Sequence, residues 1–415
     1  MGAKRVSLVS ILLVLLIAIL LTTLYFYPSQ ENTAPNKQGW RMIYGNPQGT
    51  NVGDYNTSHL TGKILWGKNF KHRIKGLLGY GNNTLYALVG NHLISLDSRG
   101  NIRWESKMNF SSVVPAVDEY GNIYAAAGGN IVSLDKDGHI RWKYPLEENE
   151  RVGTPIIVRD DRVYIITNSG TLYVLNNMGK CILTVNLERG TDVPPVISPT
   201  GSIYVGINNS VYKISSWGDI EWHLNLDGEI LRMAFYEDRL YVTTLKVVFS
   251  PYPVVENITP YLFSLSQDGR IEGRIDLNKL GAQWGAPIGL AVKSSIYVAI
   301  TPTALPSGGN SKNTSLKVQN HSFIMKFDAQ GHLIWKRGFY KVIEGLTVSR
   351  DGFIYATFSA YEQMGNEYCK IYSLNQKGET LWSKDLEFCR YSISLPVIGP
   401  EIIYVYGGNS LCAIV

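Results

Sequence analysis

The chain of 415 residues is 45% hydrophobic and 18% charged, a globular composition long enough for one large domain or two ordinary ones. Of its formal charge of +5, Lys4 and Arg5 supply two ahead of the first apolar run. The remainder is nearly neutral and shows no basic stripe, which argues against nucleic acid as the main partner, while 26 tyrosines suit β-rich structure.

Residues 6–26, VSLVSILLVLLIAILLTTLYF, are 21 positions without a charge. As a helix they span the roughly 30 Å hydrocarbon core of a bilayer, and the preceding cations keep residues 1–5 inside as a cytoplasmic stub. The exit, TTLYFYPSQ, is bulky rather than small-x-small, and no cysteine follows to take a lipid. The segment is therefore read as an uncleaved transmembrane signal anchor rather than a cleaved signal. Residues 27–39 are polar with two prolines and read as a flexible linker. Residues 40–415 then form the main domain, outside the cytoplasm. Seven N-x-S/T sequons, at Asn56, Asn82, Asn109, Asn208, Asn257, Asn313 and Asn320, fit that placement as candidate glycosylation sites, though an Asn-rich chain supplies several by chance. The four cysteines, Cys181, Cys369, Cys389 and Cys412, lack C-x-x-C spacing, so neither a zinc site nor a redox motif is indicated. Cys369 and Cys389, nearest in sequence, either pair outside the cell or stay buried thiols, with the thiols favoured.

Beyond residue 60 the chain repeats. GKILW, GNIRW, GHIRW, GKCIL, GDIEW, GRIEG, GHLIW and GETLW end at Trp66, Trp104, Trp142, Leu183, Trp222, Gly273, Trp335 and Trp382. A second series interleaves with them, from LYALV at 85 through IYAAA at 123 to IYVYG at 403, and a third follows each of these, LISLD, IVSLD and so on to LCAIV. Each unit reads as four short strands, in the second VVPAV (a), NIYAAA (b), NIVSL (c) and HIRWKY (d). A lone four-stranded sheet cannot bury both faces, whereas eight stacked in a ring can. The expected fold is all-β, an eight-bladed propeller of four-stranded antiparallel blades preceded by one transmembrane helix. The last unit lacks strand d and the first is preceded by an orphan one, TGKILWGKN, so amino- and carboxy-terminal strands should close the ring together.

These units resemble the pyrroloquinoline-quinone-like (quinoprotein-type) propeller repeats, whose pattern is roughly ALD-x-x-TGK-x-x-W and whose tryptophan docks one blade on the next. Thr61-Gly62-Lys63 to Trp66 matches it, and GWRMIYGNPQGTN looks like the W-x-M…P-x-x-T entry of many members. The resemblance implies blade docking by Trp66, Trp104, Trp142, Trp222, Trp335 and Trp382. From Asp to Trp is seven positions here (Asp97 to Trp104, Asp135 to Trp142, Asp328 to Trp335), one shorter than the family turn. That brings the chain closer to noncatalytic members, such as the propeller lipoprotein of the outer-membrane β-barrel assembly machinery and anchored propellers of archaeal surfaces. Catalytic members, which are quinone-dependent dehydrogenases of alcohols or sugars, carry adjacent cysteines, a catalytic Asp and a calcium site. No two cysteines here are adjacent, and Asp192, Glu229 and Glu344, near the starts of a strands, read as solvated rim residues.

The c–d turns DSRG, DKDG, NNMG, SSWG, SQDG, DAQG and NQKG begin with Asp, Asn or Ser and end with Gly. A short polar side chain bonds the backbone two residues on, and Gly accepts the left-handed conformation. Asp135 and Asp137 open like a calcium loop, but HIRW behind them supplies none of the further oxygens that six- to eight-fold coordination needs. No metal, cofactor or catalytic residue is expected. Three successive units are enlarged between strands b and c, at 245–260, 301–322 and 359–369, so these loops rise from one face. Phe249, Tyr252, Val254 and Tyr361 are candidate partner-binding residues there. The sequence is thus read as a single-pass membrane protein whose propeller is a noncatalytic scaffold for an envelope protein or a glycan.

Overall fold

A computed structural model describes residues 38–415 except 82, 107, 251–254, 283–284, 303–320, 360–367 and 390–392. The chain divides into residues 1–35 and residues 36–415, and the second unit holds the fold. The anchor assigned to 6–26 lies outside the described residues. Among those described, no helix is long and apolar enough to cross a membrane.

Eight four-stranded antiparallel sheets make up the propeller, seven of them pairing their strands in sequence order. Blades 1 to 7 take residues 74–105, 116–145, 157–186, 196–225, 229–276, 285–339 and 342–386. Blade 8 takes strands a to c from residues 397–414 and strand d from Ile64–Asn69, paired from Ile64 with Ile414 to Asn69 with Ser410. Strands b and c are sandwiched between neighbouring blades, so Ile123–Ala127 (IYAAA) is buried along its whole length. Strand d is the outer rim, and in Ile64–Asn69 burial alternates residue by residue.

The insertion at 245–260, expected as a loop, is instead a continuation of the blade. Strands Arg239–Phe249 and Val255–Ser266 pair as far as Phe249 with Val255, past the ends of strands a and d, whose pairing stops at Glu229 with Leu245 and at Asp276 with Tyr261. β-Branched and aromatic residues (KVVF against VENIT) give both strands the propensity to stay paired beyond the blade.

Residues 40–53 run round the inner rim at the a–b end. The carbonyls of Trp40, Arg41, Pro47, Gln48, Thr50 and Asn51 accept the backbone N–H of Gly79, Val117, Ile197, Phe235, Val292 and Val348, at 2.8 to 3.1 Å. Those donors are the last or next-to-last residues of strand a in blades 1, 2, 4, 5, 6 and 7. Blade 3 is met by Met42, fully buried with Ile156 and Ile157, and blade 8 by Gly53, where a Cβ would come within 2.8 Å of Ile398. The chain thus enters the ring on the a–b face, and among the described residues the b–c face carries no such closure.

Candidate binding face

The tryptophans lie at the blade seams. Each indole N–H donates to the carbonyl of the second turn residue of the next blade: Trp66 to Ser98, Trp104 to Lys136, Trp142 to Asn177, Trp222 to Gln267, Trp335 to Gln376 and Trp382 to Leu60, at 2.8 to 3.0 Å. The ring lies on the turn glycine. A Cβ on Gly179 would stand 2.6 Å from Trp142, and one on Gly62 2.7 Å from Trp382. These glycines are therefore required for contact as well as for their positive φ. Each tryptophan also meets the tyrosine of its own strand b, with ring centroids 5.8 to 6.4 Å apart. At the two seams without tryptophan, Leu183 packs on Gly218 and Ile275, rather than residue 273 of the repeat alignment, on Gly331.

Asp135 is spent on its own turn, accepting N–H groups from Asp137 and His139 at 3.0 and 2.8 Å. Among the described residues no three His, Cys, Asp or Glu side chains gather to hold a metal ion. Cys369 and Cys389 form a disulfide, overturning the expectation of free thiols. It joins strand c of blade 7 to the connection into blade 8, across a backbone bond from Cys369 N–H to the Cys389 carbonyl at 2.7 Å. The Cys412 thiol is buried, and burial pushes it up to about 12, which keeps it an unreactive core residue.

The b–c face holds three adjoining cavities. One, of about 450 Å³ between blades 8 and 1, is lined by Arg73, Lys75, Ser112, Ser394, Tyr406 and Gly408. The next, of about 480 Å³ over blades 1 to 3, shares Ser112 and continues along Phe110, Val113, Ala127, Gly128, Leu146 and Val152. The third, of about 420 Å³ toward blades 4 and 5, shares Asn168 with the second and reaches Asp192, Glu229 and Arg232. Asp192 and Glu229 are thus brought together, while Glu344 belongs to blade 7, where burial pushes its carboxyl up against a hydrogen bond from Ser359. Lys75 is fixed by Asn91 Oδ1 at 3.0 Å and Ser112 Oγ at 2.9 Å. Arg232 lies over the Tyr44 ring at 5.5 Å and donates to the Leu231 carbonyl.

Glu150, unremarked in the sequence, holds the middle of this face together. One carboxylate oxygen accepts the hydroxyls of Thr167, Ser169 and Thr171 at 3.0, 2.5 and 2.8 Å, and the other that of Tyr173 at 2.8 Å. Burial pushes the carboxyl up, and these hydroxyl donors outweigh it and hold it below its ordinary value of 4.5. A depressed folded value stabilises the fold above the unfolded pKa, and that stability disappears as the carboxylate protonates at lower pH. Glu150→Gln is therefore expected to melt below the parent at pH 7, with the gap closing between pH 5 and 3 in scanning calorimetry. A gap independent of pH would remove the charge from this account.

Of the sequence candidates, Phe249 is 47% exposed on the blade 5 ribbon, and Tyr252, Val254 and Tyr361 lie outside the described residues. Asn56, Asn109, Asn208 and Asn257 are exposed, with Asn109 and Asn208 lining the second and third cavities. Asn82, Asn313 and Asn320 lie outside the described residues.

The fold and its turn-docked tryptophans define an eight-bladed propeller whose repeats are similar to the pyrroloquinoline-quinone-like kind. Residues 52–206 match the family model described as outer membrane protein assembly factor BamB. No curated protein sequence matches the chain. Among solved structures, BamB from Moraxella catarrhalis is similar, with a TM-score of 0.57 and 13% identity over 85% of this chain and 99% of that one. Quinohemoprotein alcohol dehydrogenase from Comamonas testosteroni gives 0.64 and 10% over 92% and 81%. Sqt1 from Saccharomyces cerevisiae gives 0.60 and 9% over 86% and 99%. At these identities the likeness is one of fold.

Proposed function

We propose that this protein is a membrane-anchored, extracytoplasmic propeller that serves as a noncatalytic scaffold, binding another envelope protein on its b–c face. The observation that carries the reading is the run of three adjoining cavities on the face opposite the chain's entry. An elongated recess of this kind suits a polypeptide better than a small substrate, which is held in one enclosed pocket. A protein partner is favoured over a glycan because the described lining offers no extended aromatic platform: Phe110 is 3% exposed, which leaves the partly buried Tyr406 at one end as the single accessible ring. The apolar run at 6–26 supports the anchor. The Cys369–Cys389 disulfide supports an oxidising compartment, because such bonds persist outside the cytosol.

Photocrosslinkers at Asn130 and Val247 on the b–c face, and at Met178 in a c–d turn, test the reading in intact cells. The expected result is one specific envelope-protein adduct from either of the first two positions and none from Met178. Equal labelling at all three, or none, would sink it.

A second reading, a quinone-dependent dehydrogenase of alcohols or sugars, is favoured by one observation, the convergence of Asp192, Glu229 and Arg232 in one cavity. Turnover of an alcohol or aldose with added pyrroloquinoline quinone, calcium and a dye acceptor would establish it over the scaffold.

A further inference from the structure

The three cavities form one groove whose ends carry opposite charge. At the blade 8 and 1 end the connection into blade 1 reads KHRIK, placing Lys71, His72, Arg73 and Lys75 within five residues, a local density that the near-neutral composition hides. Arg73 and Lys75 line the cavity itself, and neither has an ion-pair partner among the described residues. At the blade 4 and 5 end, Asp192 and Glu229 are exposed and likewise without ion pairs among the described residues. Arg232 shares that cavity, but its guanidinium is engaged by the Tyr44 ring and the Leu231 carbonyl, so two carboxylates face one occupied cation. Between the ends the floor is apolar: Phe110, Val113, Ala126, Ala127, Leu146 and Val152. It is also open, since a Cβ on Gly128 or Gly129 would meet nothing within 4 Å. Among the described residues Arg151 is the one charged residue lining this middle cavity, and its backbone N–H is tied to Asn168 Oδ1 at 2.7 Å, the residue that joins the second and third cavities.

We infer that this groove takes an extended polypeptide segment with acidic residues at one end, apolar residues in the middle and basic residues at the other. The acidic end lies at Arg73 and Lys75, and the basic end at Asp192 and Glu229. The inference rests on the scaffold reading and adds to it the sector of the face and the composition of the partner. It also moves recognition away from the enlarged blades 5 to 7, where the sequence placed it, to the arc from blade 8 through blade 5. Apolar contact supplies the affinity and the charged ends fix which segments fit and how they lie.

The test uses the full chain in detergent and fluorescent peptides of about 12 residues, roughly 40 Å when extended. All share one apolar centre, and their flanks are acidic and basic, acidic at both ends, or basic at both ends. Fluorescence anisotropy at low salt is expected to show the mixed peptide binding about tenfold tighter than either like-charged one, the effect of two exposed ion pairs. The double variant Arg73→Glu with Lys75→Glu should then prefer the peptide basic at both ends by a similar factor. Asp192→Lys with Glu229→Lys should prefer the peptide acidic at both ends. All four positions are surface residues, and unchanged melting confirms that each variant is folded. Equal binding of the three peptides, or preferences that ignore the swaps, overturns the groove's polarity while leaving a b–c-face scaffold standing. No binding of any peptide overturns the groove as a polypeptide site, and the crosslinking result then decides the scaffold reading separately.

Discussion

Trp142→Ala is expected to lower the stability of the propeller by about 3–5 kcal/mol, toward the lower end because the indole is half-buried. Three contacts disappear together: the ring on Gly179, the bond to the Asn177 carbonyl at 2.8 Å, and the packing on Tyr124 at 5.8 Å. Gly179→Ala should also destabilise, because its φ of +82° is left-handed and its new Cβ would stand 2.6 Å from the indole. The two changes should not add. Once the indole is gone, the Cβ has space, and only the backbone cost of about 1–2 kcal/mol remains. A double-mutant cycle by denaturant unfolding reads this coupling directly. Strictly additive losses would mean that the tryptophan does not dock on that turn.

The second large effect belongs to the disulfide. Cys369 and Cys389 are 20 residues apart, and in the chain-entropy view a loop of that length stabilises by about 3 kcal/mol. Replacing both by serine, or reducing the bond, should shift the denaturation midpoint accordingly. Blade 8 should loosen first, because its connection from blade 7 is what the bond holds. Hydrogen exchange would show this as faster exchange in residues 397–414 than in blades 2 to 4. An unchanged midpoint under reducing conditions would mean that the two sulfurs are not bonded in solution.

The blade count and the ring closure were legible because the blades repeat three signals in the same order, the strand b tyrosine and the turn glycine in all eight and the strand d tryptophan in six, at a nearly fixed interval in the early blades. Those residues touch one another, so periodicity in sequence is periodicity in contact. Reading the c–d turns as punctuation was sound for the same reason, although sequence alone explained the glycines only by conformation and not by the indole above them. At blade 5 the alignment gave Gly273, while the seam is filled by Ile275, since an aliphatic side chain two positions along a strand lies on the same face.

What was not legible depends on contacts with no repeat. The entry GWRMIYGNPQGTN stood out by its residues, but its inner-rim path uses backbone carbonyls, whose partners no residue type marks. Glu150 finds its donors 17 to 23 residues away, among ordinary turn hydroxyls. The groove is assembled from d–a connections and b–c turns of six blades, so neighbouring lining residues come from distant stretches of chain. The face was readable from strand order, but the sector of that face was not, because long insertions draw attention and short glycine-rich turns leave the space.

The pairing of residues 64–69 with residues 410–414 has a consequence for how the chain is made. Strand d of blade 8 is synthesised near the start and must wait for its partner, with Trp66 matched to Ala413 across 347 positions (413 minus 66). The rim segment waits too, since its last bonds are to blades 6 and 7. Until residues 410–414 have been made, the early blades exist with an unpaired edge and an unfilled inner rim, so the ring closes late and as one step. A pulse-labelled chain should accordingly stay protease-sensitive while residues 70–409 are made and become resistant abruptly once residues 410–414 are free to pair, with the delay set by that length of chain rather than by the stability of any single blade.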